Sequence, residues 1–174
     1  MTHQIRVFTF KEGLLSRIAH DLRLHVERFS IEGEDGRVVA ELEPGSIVVD
    51  GVMDGARFDP SGLGASDRAK VGETMRTKVL ETRRHPKITF RGAVTEREAE
   101  RVEVEGELEL HGVRRPLSFT AERAGDRGGE RVTARVTLRP TDHGIKPYKA
   151  LAGAIRLQDR VVVELDLDAA ALGL

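Results

Sequence analysis

Polar and hydrophobic residues alternate with a period of two along most of the chain. The clearest case runs from Val102 to Leu110, where every even position is apolar or glycine and every odd position is glutamate. Because successive side chains of a strand point to opposite faces, this pattern predicts a strand with one buried face and one acidic face in water. Strand spacing separates carboxylates, so a solvated face is favoured over a calcium site.

The same alternation predicts further strands on both sides of this one. They cover residues 5–10, 22–31, 38–42, 46–52, 87–91, 117–121, 131–139 and 161–167. Glycine-rich turns at 33–36 and 125–129 indicate hairpins between neighbouring strands. The fold class is therefore an antiparallel, all-β arrangement with a single helix.

Two details of the strand pattern carry specific predictions. The apolar positions change parity between Val26 and Phe29, which predicts a β-bulge near Glu27 or Arg28 that keeps both sets inside. Arginine occupies the outward positions of strand 131–139, and glutamate those of strand 102–110. Opposite charges on neighbouring strands favour cross-strand ion pairs, although the pattern does not say which strands are neighbours.

One segment has helical rather than strand periodicity. Residues 66–83 predict an amphipathic helix with Ser66 as its N-cap, ended by His85-Pro86. Its apolar stripe consists of Val71, Met75, Val79 and Leu80. A single helix of this kind packs over a sheet or closes the mouth of a barrel, and packing is favoured over ligand contact for the stripe. Residues 54–65 are predicted to form a surface loop.

Length, charge and composition narrow the class of protein. The 174 residues suit one domain spanning 1–174, and 28 basic against 29 acidic residues leave no basic excess for binding nucleic acid. The absence of cysteine excludes disulfides and fits a reducing compartment. No secretory signal or membrane-spanning segment is visible. We therefore expect a cytoplasmic protein without membrane insertion, or a periplasmic one if the N-terminus is trimmed.

Histidines are the only obvious catalytic or metal-binding candidates. No pair among the six has the spacing that places two ligands together on a helix or strand. His20 and His25 are predicted to lie on opposite faces of a strand. No serine elbow, phosphate loop or dinucleotide fingerprint is present either. The sequence thus predicts no catalytic residues and no metal site, with a metal site built from distant histidines as the alternative.

Four segments carry motifs that occur together, in this order, in one known family. They are Ser16–Asp21, His85–Phe90, Gly106–Leu117 and Arg139–Ile145, followed by a last strand at 159–165. With that strand they resemble the YceI-like family of polyisoprenoid-binding, lipocalin-like barrels over nearly the whole chain. His143 departs from the pattern, standing where a phenylalanine is usual, and Arg114 stands where a threonine is common.

The resemblance implies an extended barrel of about eight antiparallel strands with an apolar tunnel for a long isoprenoid chain. A barrel of this size is just wide enough to be filled by side chains or to hold one slender ligand. We therefore expect a non-enzymatic carrier of a polyisoprenoid, quinone or similar lipid, with no other cofactor. The predicted lining residues are Leu24, Phe29, Met75, Phe90, Val104, Leu108, Phe119, Val136 and Leu138.

Two other functions compete with the carrier. In one, the inward residues fill a solid core and the chain is a stress or interaction protein without a small ligand. In the other, the barrel is a metal enzyme that uses His20, His85 or His111. The enzyme requires at least two of these histidines to meet inside the barrel beside a carboxylate. A homodimer is compatible with all three functions.

Overall fold

The computed structural model describes residues 3–13, 19–98, 100–126 and 129–174. The strands within these ranges are β1 (Gln4–Lys11), β2 (Asp21–Val26), β3 (Phe29–Glu34), β4 (Arg37–Leu42), β5 (Ile47–Asp54), β6 (Arg57–Asp59), β7 (Ile88–Glu98), β8 (Arg101–Leu110), β9 (Val113–Asp126), β10 (Gly129–Leu138), β11 (Lys149–Ala150) and β12 (Ile155–Asp168). A helix, α1 (Ala65–Thr74), continues into a π-helical turn (Met75–Val79). Short 3-10 turns lie at Pro44–Ser46, Pro140–His143, Leu151–Gly153 and Ala169–Leu172.

The strand pairs form a continuous antiparallel circuit. β2 and β3 are the halves of one long segment, and β4 and β5 are the halves of its hairpin partner, so that β3 pairs with β4 while β2 pairs with β5. β4 then pairs with β7, and the order continues through β8, β9, β10 and β12. β12 pairs with β1, which returns to β2. Counted in this way, about eight long segments curl around one interior, which confirms the predicted fold class.

Ser46 holds the bend at which the long hairpin passes from one half to the other. This residue is only 3% exposed, and its hydroxyl accepts the Arg28 N–H at 2.9 Å and donates to the Glu43 carbonyl at 2.7 Å. The Ser46 carbonyl accepts the Glu27 N–H at 3.2 Å. These bonds give partners to backbone groups that have no partner strand at the bend. Buried backbone N–H and C=O groups require such hydrogen bonds.

The predicted change of parity is found at this bend. Leu24 and Val26 point into the barrel before it, and Ile31 points inward after it, while Glu27 and Arg28 are exposed. The irregularity is larger than the predicted one-residue bulge. The four residues 43–46 lie opposite the two residues 27–28, because the 3-10 turn at Pro44–Ser46 takes up additional chain.

The helix begins earlier and ends sooner than the sequence predicts. Gly64, with φ −65° and ψ 158°, is the N-cap. The prediction of Ser66 as the cap is therefore wrong, because Ala65 already has helical geometry. Helical structure ends at Val79 rather than at residue 83, since Glu81 adopts a positive φ of 47° that no α-helix can continue through. The predicted loop 54–65 also contains the short strand β6, which pairs with β5.

Several strands are longer than predicted, and their outward ion pairs differ from the expected ones. The arginines of β10 pair with β12 rather than with the glutamates of β8, as in Arg131–Asp166 at 2.6 Å and Arg135–Glu164 at 3.2 Å. β8 pairs instead with β9, where Glu109 lies opposite Arg114. The strand order explains this, because β9 separates β8 from β10.

The last turn of the chain covers one end of the barrel. Ala169 and Leu172 of the 3-10 turn are 2% and 6% exposed and pack into the cluster that includes Val132 and Leu167. Gly33 of β3 permits this, because a Cβ there would lie 2.1 Å from the Leu172 carbonyl carbon. The helix α1 packs on β5 through a second cluster of apolar residues, around Leu24 and Val49.

Two predicted features fall partly outside the described residues. Ser16, Arg17 and Ile18, which begin the first of the four motifs, lie in the range 14–18. The tip of the turn predicted at 125–129 lies at 127–128. The strands β9 and β10 pair on both sides of that tip, with Asp126 opposite Gly129.

Two facing glycines on β7 and β8 yield a test of the packing. Gly92 and Gly106 are directly paired, and a Cβ on Gly106 would lie 2.3 Å from the Arg91 carbonyl oxygen and 2.8 Å from the Phe90 ring. Gly106→Ala should lower the free energy of unfolding by about 1–3 kcal/mol, because the Arg91 carbonyl oxygen belongs to the backbone of the β7–β8 pair and cannot move away without disturbing that pairing. Urea denaturation measures the change.

The matched control is Gly125→Ala on β9, where the nearest atom to a new Cβ would be 3.8 Å away. Its free energy of unfolding should stay within about 0.5 kcal/mol of the wild type. Equal stability of the two variants would contradict the close packing of the glycine pair.

Candidate ligand-binding cavity

A cavity of about 570 Å³ occupies the interior of the barrel beneath α1. This volume lies within the range of pockets that hold small organic ligands. The wall is formed by the inward side chains of the long strands and by the apolar face of the helix. Aliphatic residues dominate, including Val7, Leu22, Val38, Leu42, Ile47, Val132, Val163 and Leu165. The barrel is therefore not a solid core.

Most of the residues predicted to line a cavity do so. The residues found in the wall are Leu24, Met75, Phe90, Val104, Leu108, Phe119, Val136 and Leu138. Phe29 is not in the wall. It follows the bend directly and packs beside the apolar cluster of Leu24 and Val26 instead. The two phenylalanines in the wall, Phe90 and Phe119, contact each other with ring centroids 6.4 Å apart.

The helix stripe both packs and lines the cavity. Val71, Met75, Val79 and Leu80 all belong to the wall. Val71, Met75 and Leu80 also pack against the buried residues of β1, β2 and β5. The sequence favoured packing for the stripe and predicted only Met75 as a lining residue. The structure gives all four residues the second role, because the helix lies across the interior rather than against a filled sheet.

Small inward residues explain why space remains in the interior. Ala40, Ala121 and Ala134 occupy inward positions on β4, β9 and β10, and each belongs to the cavity wall. A full barrel interior would require larger side chains at such positions, because protein interiors otherwise pack to the density of organic crystals. Alternation identified these residues as inward, but it carries no information on the summed volume.

The polar part of the wall lies at the helix end of the barrel. Its members are Thr9, His20, Lys70, Thr74, Lys146, Tyr148, Gln158 and Arg160. They come from the end of β1, the entry to β2, the helix, and the chain around the start of β12, all of which meet at this end. We call this set the mouth. The described residues of the cavity wall include no carboxylate.

Two observations characterise the chemistry of the mouth. The Thr9 hydroxyl is buried and has no hydrogen-bond partner among the described residues. Arg160 lies over the Phe10 ring at 3.9 Å, and Lys70 lies 3.8 Å from Asp67. The mouth thus combines cationic side chains with one buried hydroxyl, that of Thr9, that has no partner among the described residues.

Asp159 stabilises the position of the 3-10 turn that borders the mouth. Its carboxylate accepts the Thr141 N–H at 3.0 Å and also accepts a bond from the Thr141 hydroxyl. The hydroxyl bond is the main cause of a lowered Asp159 pKa, and the Thr141 N–H and Arg139 lower it further. This contact ties the 3-10 turn at Pro140–His143 to β12, so that Pro140 and Ile145 face the cavity.

The histidines occupy distinct environments. His20 belongs to the cavity wall, and His25 lies on the outer face, where its Nδ1 is 2.5 Å from Asp50 Oδ1. His143 is 3% exposed, with Nδ1 3.0 Å from the Val113 carbonyl oxygen, a polar contact that no phenylalanine could make. His85 and His111 meet, with ring centroids 4.2 Å apart, beside Glu81, but these three residues are not part of the cavity wall.

A second depression lies on the outside of the barrel along β1. It has a volume of about 490 Å³ and contains the rings of Phe8, Phe10 and Phe58. Arg23 already stacks on Phe58 at 3.4 Å and pairs with Asp50 at 3.0 Å. Because its aromatic surface is partly covered by the protein's own guanidinium groups, we place the candidate site in the interior cavity.

An antiparallel barrel with an apolar interior cavity and a helix across its mouth defines the class of lipocalin-like barrels. The profile of the YceI-like domain matches residues 15–169, and the chain belongs to this family. The resemblance seen in the four sequence motifs is thereby confirmed. A search of curated proteins finds no match.

Solved structures share the fold at low sequence identity. BcnA from Burkholderia cenocepacia is 10% identical, with a TM-score of 0.66 over 94% of both chains. A polyisoprenoid-binding domain from Saccharophagus degradans, implicated in plant cell wall breakdown, is 12% identical, with a TM-score of 0.64 over 94% of this chain and 91% of that one. The Campylobacter jejuni YceI protein is 11% identical, with a TM-score of 0.51 over 83% and 84%. Within the described residues, no helix has the length and apolarity needed to cross a membrane.

The contact between Thr141 and Asp159 predicts a measurable pKa. In the wild type the Asp159 carboxyl should titrate below its ordinary value of 3.8, and Thr141→Val should raise its pKa towards that value by removing the hydroxyl donor. NMR titration of the carboxyl carbon measures both. Thr137→Val on the outer face of β10 is the control and should leave the Asp159 pKa unchanged.

The same shift sets a direction for stability. Because folding lowers the pKa of Asp159, its carboxylate stabilises the folded state above the ordinary pKa, and this stabilisation is lost as the pH falls through the folded-state pKa. The free energy of unfolding should therefore fall less steeply below about pH 4 in Asp159→Asn than in the wild type. Identical acid profiles would contradict the assignment.

Proposed function

We propose that the protein binds the chain of a polyisoprenoid, quinone or similar lipid in its interior cavity, as a carrier rather than an enzyme. The observation that carries this proposal is the interior cavity of about 570 Å³, whose wall is predominantly aliphatic. An aliphatic wall suits a branched hydrocarbon chain better than a flat aromatic cofactor, which pockets usually hold between aromatic residues.

The hydrophobic effect supplies enough free energy for such a ligand. An isoprene unit that buries about 100 Å² of apolar surface contributes about 2.5 kcal/mol before the cost of ordering the chain. A few such units offset the loss of translational and rotational freedom on binding. Tight binding therefore requires no polar recognition along the chain itself.

The composition of the wall favours binding over catalysis. His20 is the one histidine among the described residues of the wall, and it lies there without a carboxylate to orient it or share a proton. General acid–base or nucleophilic catalysis normally needs a second, positioned group. The histidine pair that does form, His85 with His111, belongs to a different surface.

The mouth supports a more specific proposal, namely that the ligand carries an anionic or strongly polar head. Lys70 and Lys146 provide positive charge at the one polar end of the wall, and His20, Tyr148 and Gln158 add hydrogen-bonding groups. A phosphate or carboxylate head placed there would meet cations and no acidic side chain of the wall.

Filling the cavity tests the interior as the binding site. Ala134→Leu adds volume on the inner face of β10 and should weaken binding of geranylgeraniol by roughly tenfold or more, because about one isoprene unit loses its place. Since the chain contains no tryptophan, Phe119→Trp in both backgrounds gives a single fluorophore in the wall with which to measure binding. Native mass spectrometry gives the stoichiometry, which should be one.

The matched control is Thr133→Leu, which adds the same side chain on the exposed outer face of the same strand and should bind as the wild type does. Urea denaturation of both variants separates a loss of folding from a loss of binding. Equal affinities of the folded Ala134→Leu and Thr133→Leu proteins would overturn the proposal, and so would a wild-type protein that binds no prenyl chain.

The head group is tested by comparing geranylgeranyl phosphate with geranylgeraniol. The phosphate should bind more tightly at low salt, and Lys146→Gln should reduce its affinity about two- to fivefold while leaving the alcohol unaffected, as expected for an exposed charge. Lys149→Gln, an exposed lysine outside the cavity wall, is the control. Equal loss for both ligands in Lys146→Gln would indicate a packing effect and contradict an anionic head at this place.

A further inference from the structure

Three potential metal ligands meet where the helix ends and the β8–β9 hairpin turns. Glu81 follows the π-helical turn, His85 precedes β7, and His111 lies in the two-residue turn between β8 and β9. Their ligand atoms all lie within 4.8 Å of one another. No other group of three histidine or acidic residues in the described part of the chain meets this criterion.

The geometry of the group is already close to that of a metal site. His111 Nε2 lies 3.0 Å from Glu81 Oε2, and the His85 and His111 rings are tilted by 44° with centroids 4.2 Å apart. Zinc bonds of about 2.0–2.1 Å in tetrahedral geometry place ligand atoms roughly 3.4 Å apart. Small side-chain rotations therefore suffice to bring all three atoms onto one ion, and all three residues are partly buried.

The backbone at two of the three residues has a positive φ, 47° at Glu81 and 54° at His111. At His111 this is the ordinary geometry of a two-residue hairpin turn, which Gly112 completes with a φ of 74°. At Glu81 no hairpin requires it, and a non-glycine residue rarely adopts this conformation. Gly112 contributes space, because a Cβ there would lie 3.2 Å from His85 Cε1.

We propose that Glu81, His85 and His111 bind a divalent transition-metal ion, with zinc as the best match. Two imidazoles and one carboxylate suit borderline ions such as zinc, cobalt and nickel rather than calcium or magnesium, which prefer oxygen ligands. Three protein ligands leave a position for water. Arg84 lies 2.9 Å from the other carboxylate oxygen, Oε1, and thereby holds Glu81 Oε2 towards the histidines.

The ion would join the end of the helix to the barrel. The neighbours of the ligands, Leu80 and Leu110, belong to the cavity wall. A metal bond between residue 81 and residue 111 would therefore fix the helix over the mouth without contacting anything in the cavity. This site does not depend on the identity, or the presence, of a lipid ligand.

The test is calorimetric titration of the tag-free full chain with zinc chloride after chelator treatment. The wild type should bind one zinc ion per chain, and its thermal midpoint should rise with zinc concentration because the ion binds only the folded state. Cobalt should bind at the same place and give the visible absorption of a low-symmetry nitrogen and oxygen site. His85→Gln and His111→Asn should each weaken zinc binding at least roughly tenfold, and asparagine tolerates the positive φ at residue 111.

The control is His25→Gln, which removes a histidine that already contacts a carboxylate, Asp50, on the outer face. It should bind zinc as the wild type does. Absence of zinc binding by the wild type would overturn the proposal and leave Glu81 and His111 as a simple ion pair. Unchanged zinc affinity in the folded His85→Gln and His111→Asn proteins would overturn it as well, whatever the result of the prenyl-chain titrations.

Discussion

The other features of this protein depend on one constraint. The sheet must close on its own first strand, so that the backbone hydrogen bonds continue around the whole barrel. A sheet with free edges leaves unpaired N–H and C=O groups, and a closed circuit removes most of them. Here the circuit runs through one hairpin that changes partners halfway along, and the buried hydroxyl and backbone of Ser46 pair the groups that the change leaves over. The two halves of that hairpin connect β1 on one side to β7 on the other.

Closure alone would give a filled barrel, and the cavity results from the choice of side chains within it. Alanines on three strands reduce the volume of inward side chains, while the helix spans the space instead of inserting into it. Leaving such a volume unfilled costs stability, since cavity walls lose the contacts that a packed interior provides. A ligand that filled the cavity would restore those contacts, which is the physical basis of the proposed binding.

Strand alternation was sufficient to predict the fold class, most inward residues and the parity change before Phe29, because each follows from local geometry. It could not predict that β10 pairs with β12, or that Glu81, His85 and His111 meet, because both depend on which distant segments become neighbours. The end of the helix was predicted too far along the chain, because Glu81 adopts a positive φ that the helix propensity of glutamate does not suggest. Phe29 lies outside the cavity wall because facing inward at a bend does not guarantee access to the interior.

The 3-10 turn at Ala169–Leu172 makes the two ends of the barrel different. With that end covered by the chain's own C-terminal residues, and the polar groups gathered at the opposite end, the proposed lipid would enter with its tail first. Its head group would then face outward while the lipid is bound. A partner enzyme or a membrane could reach the head group before the complex dissociates, so the lipid would enter and leave through the same end of the barrel.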